Sequence, residues 1–348
     1  MLKLVRILLS PLAVVFSYVI MTRNWLFDKN IFKVSKVDAK IISVGNLTVG
    51  GSGKTPTVMM VANILKSRNK KIGLLSRGYG RKSYGYVYVS NGKKILCSVD
   101  ECGDEMFFMS DELKVPTAVA ERRVDGAKRF IKDSNADVVI LDDAFQHRWI
   151  HRNVDIVVID QRFLLNAGQI EQKMLPLGLM REPFNSLERA DVIIINRKFS
   201  KKEDIPEKLK KYFMNKQVFT GYYIEEGIYD VKTHHFFDIN EFQGQKSLVV
   251  CGIANPESVL KVFGKNHIDV ANKMIFTDHK NYTMKEVQNI RKKFYDTNSY
   301  SVLTTQKDAV KFIKYSKELD DIDIYYLKIE LKVDEHEKFD QVILNSIN

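Results

Sequence analysis

The segment 41–55 reads IISVGNLTVGGSGKT, an apolar run followed by a glycine-rich loop that closes on Gly53-Lys54-Thr55. These residue types in this order suit phosphate binding. Glycine lets backbone N–H groups converge on anionic oxygens with no Cβ in the way. Lys54 can reach the terminal phosphates of a nucleotide, and the Thr55 hydroxyl can ligate Mg²⁺. The candidate ATP loop is therefore Thr48, Val49, Gly50, Gly51, Ser52, Gly53, Lys54 and Thr55. The strict phosphate-loop spacing has glycine where this chain has Thr48, so Gly50 and Gly51 must supply the flexibility. Such a loop needs an acid nearby. The apolar run 136–141 (ADVVIL) ends in Asp142-Asp143, and one of these can hold the metal directly or through water. Gly103-Asp104-Glu105 opens a helical pattern, where adjacent carboxylates ordinarily act as caps. Arg77 begins a basic Gly-Tyr-Gly turn, Arg123 opens a helical stretch, and Arg181-Glu182 tips a proline-containing loop at 174–183. These are candidate contacts to the γ-phosphate or to a substrate phosphate.

The surrounding pattern says how such residues are positioned. The strand-like run at 41–44 leads through the loop into apolar residues at helical spacing, Val58, Val61, Ala62 and Leu65. Runs at 71–76, 116–120, 136–141, 155–160 and 191–196 read as strands, most of them continuously apolar, as in a parallel sheet covered on both faces. Helical stretches alternate with them, which predicts βαβ units. Ligands bind such sheets at the C-terminal edge of the strands. A hairpin is expected at 84–90 and 94–99, turning at Asn91-Gly92. The Lys-rich stretch 200–217 reads as a solvated helix, and 218–240 as a small hairpin joining two halves. A second α/β unit begins near 247, with strands expected at 247–251, 300–305 and 322–331.

Composition is that of a folded protein: 45% of the 348 residues are hydrophobic and 28% charged, which excludes a disordered chain. A net charge of +11 favours an anionic partner, whether nucleic acid, an acidic membrane face or a phosphorylated substrate. No nucleic-acid motif or aromatic–basic array accompanies the charge, so nucleic acid is set aside. Cys97, Cys102 and Cys251 form no C-x-x-C pair, which argues against a disulfide framework or zinc site. Near the start, Arg6 and Arg23 bracket an uncharged run at 7–22. That is short of the roughly 20 residues a spanning helix needs. Lys3, Arg6, Ser10 and Ser17 fall on one narrow stripe and the rest of the face is apolar, which suits a helix lying in a membrane interface. Trp25 and Phe27 follow at the headgroup level. A signal peptide fits the pattern, but export would separate the nucleotide loop from ATP.

Together these motifs resemble the tetraacyldisaccharide 4'-kinases. The matching segments run in order along nearly the whole chain: GNLTVGGSGKTP at 45–56, SRGYGR at 76–81, GDE at 103–105, DDAFQH at 142–147, LPLGLMREP at 175–183, CGIANP at 251–256, TDH at 277–279 and TTQKDAVK at 304–311. Thr48 is part of that signature, whereas Gln306 stands where the family pattern has Glu. The resemblance implies an α/β fold: a P-loop NTPase-like parallel-sheet domain at 24–217, a two-stranded linker at 218–240, a smaller α/β/α domain at 241–348, and a membrane-interface helix at 1–23. It implies ATP-dependent, Mg²⁺-supported phosphorylation of the 4'-hydroxyl of an acylated disaccharide 1-phosphate, a lipid A precursor. Asp104 would be the catalytic base, with His279 orienting it and Lys54 assisting catalysis. Glu105 would join Thr55, Asp142 and Asp143 around the metal. The protein is expected to act as a monomer, peripherally, on the anionic cytoplasmic face of a bacterial inner membrane. The alternative is a P-loop kinase or NTPase acting on a soluble small molecule.

Overall fold

The structure, a computed structural model, describes residues 10–166, 168–253, 255–278 and 280–347. Its strands are β1 (Lys40–Gly45), β2 (Ile72–Ser76), β3 (Val87–Asn91), β4 (Pro116–Val119), β5 (Val138–Asp142), β6 (Val154–Asp160), β7 (Val192–Asn196), β8 (Gln217–Asp230), β9 (Phe236–Phe237), β10 (Lys246–Cys251), β11 (Asp269–Ile275), β12 (Ser301–Thr305) and β13 (Ile324–Val333). All join one sheet, ordered β11-β10-β12-β13-β8-β7-β6-β1-β5-β2-β4-β3, with β9 beside β8.

In the first unit β7, β6, β1, β5, β2 and β4 are parallel. Their side chains are buried almost throughout, because helices cover both faces and no alternation with polar residues is needed. Register sets the chemistry: Val44 of β1 lies opposite Asp142 of β5, so the phosphate loop and the paired aspartates leave the same edge side by side. The helix Lys54–Ser67 follows the loop and buries Val58, Val61, Ala62 and Leu65. In the second unit β11, β10, β12 and β13 are also parallel.

Four expectations need correction. The stretch 218–240 is not a self-contained hairpin. Its long strand β8 runs parallel to β7 in the first unit and antiparallel to β13 from the far end of the chain, so the linker pairs segments about a hundred positions apart. The smaller unit does not extend to 348 either. The helix His336–Asn345 folds back, and Phe339, Ile343 and Ile347 share a core with Val58, Val61 and Leu65 of the phosphate-loop helix. The stretch 200–217 is helical only over Glu207–Lys210, since Leu209 and Phe213 turn inward on a short irregular path. Finally, the second arm of the hairpin at 84–99 is reduced to one bridge, Ser90 with Ile95, and β3 pairs with β4 instead.

The helix Ser10–Asp28 stands at the margin of the first unit. Ala13, Ile20 and Phe27 form its buried stripe, at seven-residue intervals. Leu12, Val14, Val15, Tyr18, Val19, Met21 and Trp25 are exposed. Its root is firmly held: Phe27 packs edge-on against Phe32 and Trp149, and Arg148 pairs with Asp28 at 2.7 Å. Arg23 donates to the Gln146 carbonyl at 2.9 Å. No helix among the described residues is long and apolar enough to cross a membrane. Residues 1–9, including Lys3 and Arg6 of the expected interfacial stripe, lie outside the described residues.

Candidate active site

A cleft of about 810 Å³ opens at the C-terminal edge of the first unit and is closed on its far side by β13 and the helix Gln306–Phe312 of the second. The loop 48–55 forms its floor. Gly53 adopts φ +104°, a left-handed conformation, and a Cβ there would collide with the Asn196 amide and the Tyr223 hydroxyl. Only glycine fits, for both reasons. Asn196 caps the arrangement from the end of β7, donating to the Ser52 carbonyl at 3.0 Å, while Lys198 donates to the Gly51 carbonyl at 2.9 Å. Asn46 donates to the Ser52 hydroxyl at 3.0 Å. On the outer side the Val49 N–H donates to the Leu179 carbonyl at 2.8 Å, and Thr48 bridges to Met180. The loop is thus pinned from three directions before any phosphate arrives.

Acids face the loop. Lys54 lies 3.8 Å from Asp143, which also takes a two-pronged contact from Arg181 at 2.6 and 3.1 Å. Burial alone would raise the Asp143 carboxyl, but Lys54 and Arg181 outweigh it and hold it below its usual value. Asp142 behaves oppositely. Burial, then Glu105 and Asp143, push it up to about 7. Its Oδ2 accepts from the Ser76 hydroxyl at 3.0 Å, and its Oδ1 is buried with no hydrogen-bond partner. Thr55 donates to Glu105 at 3.4 Å.

That donor set fits a hard divalent cation. An orphaned carboxylate oxygen, a second carboxylate and a hydroxyl converge, all oxygen, as Mg²⁺ prefers. Among the described residues no group of three Asp, Glu, His or Cys could hold a metal unaided. This is the usual case for Mg²⁺, which completes its shell with water and substrate phosphate.

Arginines line the cleft unequally. Arg77 is exposed at its rim. Arg123 is buried, donates to the Glu121 carbonyl at 3.3 Å and leaves its Nε unpartnered. Burial lowers its affinity for its proton, as far as Asp142 and Asp143 allow. Arg181 is committed to Asp143 and to Asn46. Beside them His147 is pushed down to about 4, by burial and then by Arg123 and Arg152, so it is neutral at physiological pH. Glu182 departs from expectation: it does not line the cleft. Its carboxylate is fully buried and binds Arg23, Asn24 and Arg189, so it ties the N-terminal helix to the body rather than meeting a phosphate.

Asp104 and Glu105 occupy the first turn of the helix Asp104–Leu113, and Asp104 Oδ1 accepts the Glu105 N–H at 3.0 Å. From the second unit Lys307 pairs with Glu105 in the cleft, and Lys311 lies 3.2 Å from Asp104, which is buried and is not among the residues lining the cleft. Burial lowers the Lys307 ammonium, and Glu105 more than offsets it, leaving it above its usual value. His279 lies outside the described residues. Gln306 accepts the Ile329 N–H at 3.3 Å and has a buried, unpartnered Nε2.

Neither the loop's supports, Asn46, Asn196 and Lys198, nor Lys307 and Lys311 stand out in the sequence as site residues. The signals were present. Asn196 is a polar residue ending a buried strand at the ligand edge, as Asp142 is, and Lys307 and Lys311 recur at helical spacing in the TTQKDAVK segment.

Residues 5–348 match the family described as tetraacyldisaccharide-1-P 4'-kinase. Among similar curated proteins, a tetraacyldisaccharide 4'-kinase of Halothermothrix orenii is 34% identical, the match covering 95% of this chain and 90% of the relative. One from Chlorobium phaeobacteroides is 31% identical over 98% of this chain and 97% of its own. The fold is similar to that of LpxK from Aquifex aeolicus, whose crystal structure was solved in complex with ATP: TM-score 0.80 and 29% identity, covering 99% of this chain and all of that one.

Proposed function

The chain belongs to the tetraacyldisaccharide 4'-kinase family, and from that premise we infer that it transfers the γ-phosphate of ATP to the 4'-hydroxyl of a tetraacyldisaccharide 1-phosphate. One observation carries the reading beyond family membership. Lys54, Thr55, Glu105 and Asp142 converge beside a pinned phosphate loop, and Asp104 lies buried next to Glu105 in the same helix turn.

Phosphoryl transfer asks the protein chiefly for positioning and charge neutralisation. The loop 48–55 cradles the phosphates through N–H groups other than those of Val49 and Ser52, which already have carbonyl partners, and Lys54 neutralises the terminal oxygens. Thr55, Glu105 and Asp142 would hold Mg²⁺, which would supply charge neutralisation to the transferred group. Asp143 is held ionised by Lys54 and Arg181 and keeps Lys54 aimed at the loop. Asp104 is the base: as the new O–P bond forms and the bond to the ADP oxygen breaks, it takes the proton of the attacking hydroxyl. His279 is proposed to orient that carboxylate. Arg77 and Arg123 are the candidates for substrate or γ-phosphate contact. The two units act as domains whose closure keeps water from the phosphate.

A lipid acceptor accounts for the helix Ser10–Asp28 better than a soluble one does. Its outward residues are apolar and its root is anchored to Gln146 and Arg148, in and just after the segment that carries Asp142. Together with the positive net charge this supports a monotopic seat on an anionic membrane surface; we take that surface to be the cytoplasmic face of the inner membrane and the enzyme to act as a monomer. The test is transfer of label from γ-labelled ATP to the purified disaccharide lipid. Native protein should label it and Lys54→Ala should not. Equal labelling by both would overturn the nucleotide-site assignment.

A further inference from the structure

The chemistry proposed above uses neither lysine of the helix Gln306–Phe312, yet both pair with acids of the other unit. Lys307 and Lys311 are four positions apart and so share one helix face. Their partners are the adjacent acids of the opposite helix, Glu105 for Lys307 and Asp104 for Lys311. Lys311 is the more constrained of the two. It is 3% exposed, 3.2 Å from Asp104 Oδ2 and 3.4 Å from Asp308 Oδ1. Asp308 is fully buried and itself fixed, its Oδ2 accepting the Gly252 N–H at 2.8 Å and the Thr305 hydroxyl at 2.9 Å. A buried ammonium must be matched by negative charge. Here one matching carboxylate is anchored in the second unit, and the other is Asp104 of the first.

We propose that Lys311 is a positioning residue for Asp104. Anchored by Asp308, it fixes the Oδ2 edge of that carboxylate, while the Glu105 N–H fixes the Oδ1 edge from the opposite side. The orientation of the base thereby depends on the second unit being in place. This role rests on the reading of Asp104 as the base.

Steady-state kinetics of the full-length protein, with Mg-ATP and the disaccharide lipid in mixed micelles, test it. Lys311→Met should lower kcat about 100-fold, the cost of misplacing a reacting group by ~1 Å, and leave KM for Mg-ATP within about threefold. It also leaves two buried carboxylates facing each other and so lowers Tm. Lys311→Met/Asp308→Asn removes the surplus charge and should recover Tm but not kcat. Recovery of both would mean a purely structural lysine and overturn the proposal, as would near-native kcat in Lys311→Met. Asp104→Asn separates the two readings. If that variant keeps full turnover, the base assignment fails and this role with it. If it is slow while Lys311→Met is normal, only the positioning role fails. In Asp104→Asn/Lys311→Met the losses should not multiply; residual turnover showing the full product of both would exclude action through Asp104.

Discussion

Replacing Asp142 with asparagine should stabilise the nucleotide-free protein while nearly abolishing transfer. Asp142 is 3% exposed at the end of β5, with one oxygen on Ser76 and the other unpartnered. Burial, with Glu105 and Asp143 behind it, raises its carboxyl from 3.8 to about 7. Three pH units at about 1.4 kcal/mol each put the cost of the buried anion at ~4 kcal/mol. Below its unfolded value of 3.8 the group is protonated in both states and contributes nothing. Between there and about 7 only the unfolded chain loses the proton, so stability falls as pH rises. Above that the folded carboxyl ionises too, and the penalty stays at its ceiling. Asparagine never ionises, and its carbonyl can keep the Ser76 hydroxyl bond. Its amide inherits the unpartnered position, which returns part of the gain, so about 2 kcal/mol is the expected net stabilisation at pH ~8. Thermal unfolding without Mg²⁺ or ATP, followed from about pH 4 to pH 8, reads this as a Tm advantage that is absent at the acid end and grows towards neutrality. Added Mg-ATP should raise the Tm of the native protein well above that of the variant, because binding to the folded state alone stabilises it. A variant no more stable than native protein at pH ~8 would refute the buried-anion argument. Transfer within about tenfold of native would refute the metal-ligand role.

Because a proton and a cation compete for Asp142, apparent Mg²⁺ affinity should fall about tenfold per pH unit below the carboxyl's raised value; isothermal titration with Mg-ATP showing flat affinity through that range would contradict it. Val15→Asp/Val19→Asp on the exposed face of the N-terminal helix should weaken binding to anionic vesicles by about tenfold or more and leave Tm unchanged, since neither residue is buried. Vesicle co-sedimentation checks this, and unaltered partitioning would mean that the membrane seat lies elsewhere. Gly53→Ala should abolish ATP binding, because the new methyl meets Asn196 and Tyr223 at a left-handed φ; a variant that binds ATP normally would show that the loop can rearrange.

Local patterns carried most of the first unit. Continuous apolar runs ending in glycine or aspartate identified β1 and β5, and parallel register then placed Val44 opposite Asp142 as the phosphate-loop reading required. The stretch 218–240 resisted because its main partner, β13, is about a hundred positions away, and no periodicity reports a pairing that distant. For the same reason the helix His336–Asn345 was placed with the smaller unit, although Phe339 and Ile343 complete the core behind the phosphate-loop helix. In the site, acids at strand and helix ends were legible as ligands by type. Glu182 misled because its neighbour Arg181 does line the cleft, while the carboxylate one position on turns into an arginine cluster. Lys307 and Lys311 were visible as charges in a motif, but their role depends on the helix Asp104–Leu113 of the other unit packing against their own.

If phosphate held at residues 48–55 is delivered to one hydroxyl of a glycolipid, the product must carry it there. Phosphorus NMR of the product formed from ATP and the tetraacyldisaccharide 1-phosphate reads that position. A second phosphomonoester, coupled to the proton on the 4' carbon, should form with native protein and not with Lys54→Ala. A product carrying only its original 1-phosphate, with ATP consumed to free phosphate, would contradict it.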